Sequence, residues 1–427
     1  MSKNIKYSIV LPTLNGMEYL PTCVETIISQ NYTDYELLIS NNCSDDGTSE
    51  YLETLKANPQ VKVIQPETRL TLGEHWDFAV SHAQGEWVYG IGSDDGVMPY
   101  FFKLLDKLID IAAKKNINII KSNRAYYFWE NKDVIETYGN SFIGYNATAE
   151  IRILSCKGIL KEVLYRDGSK CFDIPQMYTT SIFHRSVLEK ARRNQTSKII
   201  QNNITQDIYL GLLGCLCEDK YLHCSIPIGW VGTSSGQSHG LIFDEHASLD
   251  DFKKLLNEHN KFNEYYNDFM YHYTSYTLGA FHLYLASAIR IFTKFNYTDI
   301  TLPDEFDLNK QENLTAVFYA VYNFILGMDE DNRKRRLMFF WDLVNYYKID
   351  QKTFIAGFNK QHYERPFQNV FNIFNKCIRK IKRLTNVSPT NFSIYQNFND
   401  ANRFLNMQDV NKFIYSNTDI NKMLESI

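Results

Sequence analysis

Between Tyr7 and Ile120, short apolar runs alternate with segments whose apolar positions recur at helical spacing. Residues 7–11 (Tyr-Ser-Ile-Val-Leu) read as a buried strand stopped by Pro12, and Leu20, Val24, Ile27 and Ile28 then mark one helical face. Strands are predicted again at 35–39, 61–64, 87–91 and 117–120. Between them the spacing predicts a helix from Thr48, another over 74–82, and a long one that Pro99 opens towards Lys115. This alternation predicts an α/β fold, a Rossmann-like and mostly parallel sheet with helices on both faces. In an open sheet of that kind, ligands bind beyond the carboxyl ends of the strands.

Residues 124–240 are more mixed. From Asp244 onward, long segments rich in Leu, Phe, Tyr, Lys and Asn carry few glycines or prolines, which predicts a mainly α-helical carboxy-terminal domain over 244–427 after an α/β domain over 1–243. A chain of 427 residues is longer than one core usually holds, in keeping with two domains.

Each early strand runs into a polar, loop-forming cluster: Pro12-Thr13-Leu14-Asn15-Gly16, then 41–48 (Asn-Asn-Cys-Ser-Asp-Asp-Gly-Thr), then Pro66-Glu67-Thr68-Arg69, then Gly92-Ser93-Asp94-Asp95-Gly96. One such cluster alone is turn and cap chemistry. Four at one sheet edge point to a site. Asp94 and Asp95 follow a strand apolar enough to be buried, so their charge needs a cation or hydrogen-bond donors. A hard divalent cation, Mn²⁺ or Mg²⁺, matches carboxylate oxygen and leaves positions open for phosphate.

The formal net charge of -4 argues against nucleic acid as a partner. No stretch approaches the roughly 18 to 20 apolar residues that span a bilayer, and the first residues lack a signal-peptide pattern, so a cytoplasmic location is expected. Eight scattered cysteines suit reduced thiols. Cys215, Cys217, His223 and Cys224 are either a zinc cluster or buried small residues on neighbouring elements.

The ordered set Ile9-Val10-Leu11-Pro12-Thr13-Leu14-Asn15, Asn42-Cys43-Ser44-Asp45-Asp46-Gly47-Thr48, Ala83-Gln84-Gly85-Glu86-Trp87 and Ser93-Asp94-Asp95 resembles family 2 glycosyltransferases. The resemblance is strong over about residues 5 to 110 and weak over 110 to 240. It implies a GT-A fold, with a nucleotide-sugar half over 1–110 and an acceptor half over 111–243. It also implies inverting transfer from a nucleoside-diphosphate sugar, with UDP as the nucleotide, to a glycan or lipid-linked glycan acceptor of a bacterial surface polysaccharide. By the same resemblance Pro12, Thr13 and Asn15 line the base and ribose pocket, Asn41 reads the base edge, Asp94 lies near the ribose and Asp95 binds the metal. The chain departs from the family in having Asn at 41, Gly at 92, and Trp76-Asp77 where Asn is common at 77. Asp77 either touches the donor sugar or sits in a helix. Arg69 either contacts the base or diphosphate or is an exposed loop arginine.

Displacement of a diphosphate needs a general base near the acceptor hydroxyl. The family places a carboxylate at a helix start well after the acidic pair, and Asp207 in Asn203-Ile204-Thr205-Gln206-Asp207-Ile208 fits, with Ile208, Leu212, Leu213 and Leu216 as the apolar face behind it. The alternative is a carboxylate complementing the helix dipole. The loop Gly232-Thr233-Ser234-Ser235-Gly236-Gln237-Ser238-His239-Gly240 suits a flap over the diphosphate, with His239 as a nitrogen ligand for the cation or a surface histidine. Two basic runs, 333–336 and 376–383, are either solvated faces or helices for peripheral contact with an anionic membrane. Two other functions compete: a non-catalytic glycan-binding or scaffold protein on the same fold, and a nucleotidyltransferase. The latter lacks a basic, glycine-rich loop after the first strand.

Overall fold

A computed structural model describes residues 5–129, 141–142, 145–194, 206–234, 287–289, 291–293, 298–364, 391–394, 406–417 and 419–427. Four parallel strands form one half of the main sheet: β1 (Tyr7–Thr13), β2 (Tyr35–Asn41), β3 (Val61–Ile64) and β4 (Trp87–Gly90). β1 lies between β2 and β4, and every residue of β1 and β2 is buried, which is why their sequences read as continuous apolar runs. Val10, Leu38 and Val88 feed the core on one side of the sheet, and Ile9, Leu11, Leu37, Ile39 and Tyr89 the core on the other. The connecting helices are α1 (Leu20–Ile28), α2 (Thr48–Leu55) and α3 (Leu72–Ser81). Thr71 and Glu74 form a reciprocal capping box that starts α3.

The chain continues through β5 (Gly96–Val97), α4 (Phe101–Lys114), β6 (Ile119–Ser122), β7 (Ala125–Phe128), β8 (Ser141–Phe142), β9 (Tyr145–Thr148) and β10 (Ile151–Ser155). Then come α5 (Cys156–Tyr165), β11 (Ser181–His184), α6 (Arg185–Arg193), α7 (Gln206–Cys217), β12 (Lys220–Cys224) and β13 (Gly229–Thr233). The main sheet has eight strands in the order β10-β12-β6-β11-β4-β1-β2-β3. β11 is antiparallel to both β4 and β6, and β10 is antiparallel to β12. A second sheet, β5-β13-β7-β8, lies against the carboxyl end of β4. The mostly parallel α/β sheet expected from the sequence is present, with one antiparallel strand inserted at its middle.

Several boundaries differ by a few residues from the reading of the sequence, two of them at prolines. β1 does not stop at Pro12: Pro12 pairs in register with Ser40 and Thr13 with Asn41, and the Thr13 carbonyl accepts from the Asn42 N–H at 2.9 Å. Proline removes one donor but leaves an extended chain extended. Pro99 precedes the cap residue Tyr100, and α4 begins at Phe101.

Later helices are α8 (Gln311–Leu326), α9 (Glu330–Tyr346), α10 (Gln351–Glu364), α11 (Met407–Asn417) and α12 (Ile420–Glu425), and a strand β14 (Asn391–Ile394) pairs with β9. Substantial helix thus follows the α/β region, as expected. The boundary expected near residue 243 lies outside the described residues. Leu314, Val317, Phe318, Val321, Phe340 and Val344 share a core with α5 and α7. Met407, Val410, Ile414, Met423 and Leu424 share the other core, with β1, α1 and α4. Trp230 donates its indole N–H to Asn411 Oδ1 at 2.9 Å, and Asn411 Nδ2 donates to the Val97 carbonyl at 2.9 Å. No described helix is long and apolar enough to cross a membrane.

Candidate functional site

The loops after β1, β2 and β3 are joined by hydrogen bonds into one edge. Asn15, at φ 51, donates its N–H to Ser44 Oγ at 2.9 Å and accepts from the Asp45 N–H at 3.0 Å. Asp46 accepts from the Met17 N–H at 2.8 Å, and the Asn42 amide both donates to and accepts from the backbone of Leu70. Arg69 donates to the Cys43 carbonyl at 3.0 Å and lies 3.5 Å from Asp45, so it braces the second loop from the third. The Asn41 amide joins its own loop to α2 and to the chain after β3: Oδ1 accepts from the Ser44 N–H, and Nδ2 donates to Ser49 Oγ at 2.9 Å and Gln65 Oε1 at 3.3 Å. Thr13 is different. Its hydroxyl is buried and has no partner. A Cβ on Gly16 would lie 2.3 Å from that hydroxyl and 3.0 Å from Ser93 Oγ, so the first loop closes directly over the fourth.

Asp94 and Asp95 are 5% and 1% exposed, and their surroundings differ. Asp95 Oδ2 accepts from the Gly92 N–H at 2.9 Å and from Thr179 Oγ1 at 3.0 Å, and Oδ1 accepts from the Gly232 N–H at 2.8 Å. The Tyr178 hydroxyl is a further donor to the same carboxylate. Among the described residues Asp94 has one side-chain donor, Ser234 Oγ at 2.8 Å, besides its own backbone N–H, while its main-chain carbonyl accepts from the Trp129 indole at 2.7 Å. Burial raises both carboxyls above the usual carboxylate range; Asp94, with the Asp95 charge beside it, is pushed up to about 7. Asp95 therefore ties β4 to the loop before β11 and to β13. Asp94 is the carboxylate left with little compensation.

Two glycines make this packing possible. A Cβ on Gly232 would lie 1.8 Å from the Asp94 carbonyl oxygen, so only glycine lets β13 approach the acid pair. A Cβ on Gly92 would lie 2.4 Å from the Tyr178 hydroxyl. The position where the resembling family often carries an aspartate is thus filled by a tyrosine hydroxyl arriving from another segment. Gly92→Ala should cost about 1–3 kcal/mol and Tyr178→Phe about 1 kcal/mol, with the double variant less destabilised than the sum. Chemical denaturation of the four proteins measures that coupling, and strict additivity would show that the two residues do not share the space.

The raised Asp94 carboxyl fixes the sign of a pH effect. Its folded pKa lies above its unfolded value near 3.9, so its contribution is fully present below about pH 4 and is lost as pH rises through 7. Asp94→Asn should therefore be more stable than the wild type above pH 7, by an amount on the order of a few kcal/mol, with the difference vanishing towards pH 4. Melting temperatures of both proteins across that range check it. A pH-independent difference would contradict the assignment.

Asp207 stands in the first turn of α7, half-buried, and its charge reaches the buried hydroxyl of Tyr178 and the Cys171 thiol. Tyr178 thus lies within electrostatic reach of both the acid pair and the candidate base. Behind Asp207, α7 is buried almost all round, and Leu216, expected on its apolar face, is only half-buried. Asp77 is half-buried on α3, next to Trp76, which packs edge-on against Tyr178 at 5.8 Å. His239 lies outside the described residues, as does the basic run 376–383. The run 333–336 lies on α9, where Lys334 pairs with Glu330 at 2.7 Å. Cys215 and Cys217 belong to one core and Cys224 to the core on the other side of the sheet, so these thiols do not converge on a zinc ion.

Among the described residues no three His, Cys, Asp or Glu side chains gather as a ready metal cage. The acid pair does fit a hard cation of the Mg²⁺ type, which takes one or two carboxylates and completes its shell with water and substrate phosphate. The resemblance gives the cation to Asp95; among the described residues Asp94 has fewer donors than Asp95 and so keeps more oxygen lone pairs open to a cation.

Sequence reading missed Tyr178, Thr179 and Trp129, which come to the acid pair from segments with no motif of their own. Their signal was weak: a polar Tyr-Thr-Thr-Ser run before a short apolar strand.

Residues 8–168 match the family model described as Glycosyl transferase family 2. The glycosyltransferase GlyG of Streptococcus pneumoniae serotype 4 is 26% identical over 30% of this chain and 40% of its own length. The abequosyltransferase RfbV of Salmonella typhimurium is 32% identical over 25% of this chain and 33% of its own. TarS of Staphylococcus aureus, a poly(ribitol-phosphate) beta-N-acetylglucosaminyltransferase, is 30% identical over 21% of this chain and 16% of its own. The chain thus spans well under half the length of these relatives. A crystal structure of TarS 1-349 in complex with UDP-GlcNAc covers 81% of this chain and 92% of that chain, at 15% identity and a TM-score of 0.41.

Proposed function

We propose that this chain, whose residues 8–168 match family 2 glycosyl transferases, moves a sugar from a nucleoside-diphosphate sugar to a glycan or lipid-linked glycan in bacterial surface-polysaccharide assembly. UDP is the proposed nucleotide. The observation that carries the reading is the pair of buried carboxylates at the carboxyl edge of β4, one fully tied and one undercompensated, beneath the joined loops of β1, β2 and β3. Relatives named as glycosyltransferases support the reaction class.

In this reading the orphan Thr13 hydroxyl takes a hydrogen bond from the nucleoside, and the loop of Pro12, Asn15 and Asn41 shapes the base pocket. The amide of Asn41 acts by holding that loop, and Arg69 by bracing it. Asp95 keeps β4, Thr179 and Gly232 in place, and Asp94 faces the donor. A bound Mn²⁺ or Mg²⁺ would supply charge neutralisation for the departing diphosphate. The acceptor hydroxyl attacks the anomeric carbon opposite the leaving group as its proton passes to Asp207, so that configuration inverts.

Release of nucleoside diphosphate from UDP-, GDP- and TDP-sugars, with Mn²⁺ or with EDTA, tests the reading. Release from one donor above the protein-free rate is expected, lowered on the order of a hundredfold by Asp94→Asn. Donor binding without release of any nucleotide would favour the glycan-binding or scaffold alternative.

A further inference from the structure

On the acceptor side of the acid pair, a row of basic and polar side chains crosses four strands. The register sets Arg152 of β10 opposite His223 of β12, His223 beside Lys121 of β6, and Lys121 opposite Ser181 of β11. Leu154, Tyr221, Ile119 and Phe183, two positions along the same strands, belong to the core shared with α5 and α7. The strand period of two puts the row on that face.

Among the described residues this row is poor in partners. Lys121 is 6% exposed, and the one hydrogen bond of its ammonium to them is to the Ser122 carbonyl at 3.5 Å, the limit for such a bond. The Ser181 hydroxyl is buried without a partner, as is His223 Nδ1, while His223 Nε2 lies 3.0 Å from Asn123 Oδ1. Just beyond β6, the Arg124 guanidinium donates through Nη2 to Gln176, lies 5.0 Å from the centre of the Phe172 ring, and leaves Nε buried and unpartnered. Nearby carboxylates do not fill these needs. Glu150 is held by Arg152 at 3.1 Å, and Asp173 is exposed and reaches Lys121 through charge alone. Burial, with the Arg124 charge, draws the Lys121 ammonium down to about 8. Buried cations with idle donors are costly unless an anion meets them.

The location suits the acceptor. β6 lies two strands from β4, about 10 Å across the sheet. The charges of Arg124 and Asp207 both reach the Cys171 thiol, so the guanidinium lies in the neighbourhood of the proposed base. We infer that Lys121, Arg124 and Ser181, with His223 beside them, bind a phosphate group carried by the acceptor. This rests on the transferase reading for the word acceptor, but the anion site can be tested without it. A phosphate offers enough oxygens for the Lys121 ammonium, Arg124 Nε and the Ser181 hydroxyl at once.

The test is calorimetric titration of the full-length protein, at fixed ionic strength and with Mn²⁺ present throughout, with glycerol phosphate, a phosphodiester (glycerophosphoglycerol) and acetate, each with and without saturating UDP. Wild type, Lys121→Met, Arg124→Gln and Asp94→Asn are compared. Phosphate probes should bind the wild type whether or not UDP is present. Lys121→Met and Arg124→Gln should each weaken that binding at least tenfold with UDP affinity unchanged, and Asp94→Asn should do the reverse. Preference for the monoester identifies a terminal phosphate, and preference for the diester a phosphate within a polymer or lipid linkage. No phosphate binding to the wild type, competition with UDP, acetate binding as well as phosphate, or binding by both row variants as tight as by the wild type overturns the site. Failure of UDP alone to bind leaves the anion result intact and counts against the transferase reading instead.

Discussion

Deleting residues 406–427 should leave a protein that does not fold stably, although the deletion lies far in sequence from every strand-end loop. Met407, Val410, Ile414, Ile420, Met423 and Leu424 are each 8% exposed or less, packed with β1, α1 and α4. At about 1.5–3 kcal/mol per buried apolar side chain the loss is on the order of 10 kcal/mol, comparable to the whole net stability of a domain. Asn411→Leu is the milder probe. It removes the Asn411 acceptor of the Trp230 indole N–H and the Asn411 donor to the Val97 carbonyl, at about 1–3 kcal/mol for each bond. Because Trp230 lies on β13, two residues before Gly232 and four before Ser234, this loss should also weaken nucleotide binding. Thermal melts and nucleotide titrations check both. A truncated protein with an unchanged melting temperature would show that the carboxy-terminal helices are dispensable.

Asp207→Asn should lower kcat by about 10²- to 10⁴-fold while leaving the fold and the donor affinity in place. The substitution keeps the shape of the side chain, and the charge lost at the start of α7 is worth about 0.3–1 kcal/mol to the helix. This separates the two roles open to Asp207. A residue that only complements the helix dipole would alter the melting temperature slightly and leave turnover within severalfold. A general base would do the opposite. Stability and turnover measured on one preparation decide between them.

The strands of the first half were legible because β1, β2 and β4 are buried on both faces and carry little but apolar residues. The loops after β1, β2 and β4 were legible because Asn, Asp, Ser and Gly cluster where those strands stop, while the loop after β3 shows only as a polar Pro66-Glu67-Thr68-Arg69 run. Two things were not. The sequence places Asp94 and Asp95 together but says nothing of how donors divide between them, since Thr179, Gly232 and Ser234 arrive through strand pairing far along the chain. Among the described residues Asp95 thus gathers several donors and Asp94 few, a division the sequence does not show. The apolar spacing of Met407, Val410 and Ile414 likewise marks a helix with one buried face, but which surface receives it is set by tertiary packing against α1 and Trp230. At Asn41, where the resemblance implies base recognition, the amide also bonds Ser44, Ser49 and Gln65.

The central claim is that the edge holding Asp94 is a nucleotide-sugar site. Its most direct test is thermal stability of the full-length protein against UDP, GDP and TDP, each with and without Mn²⁺, in the wild type and in Asp94→Asn. Asp94 is the informative position because removing Asp95 would also leave the Gly92 and Gly232 N–H groups without their acceptor. One nucleotide should stabilise the wild type, by roughly 2.7 kcal/mol at 100 times its dissociation constant, only when the cation is present, and Asp94→Asn should lose that response. A wild-type protein that no nucleotide stabilises, with or without the cation, would contradict the account.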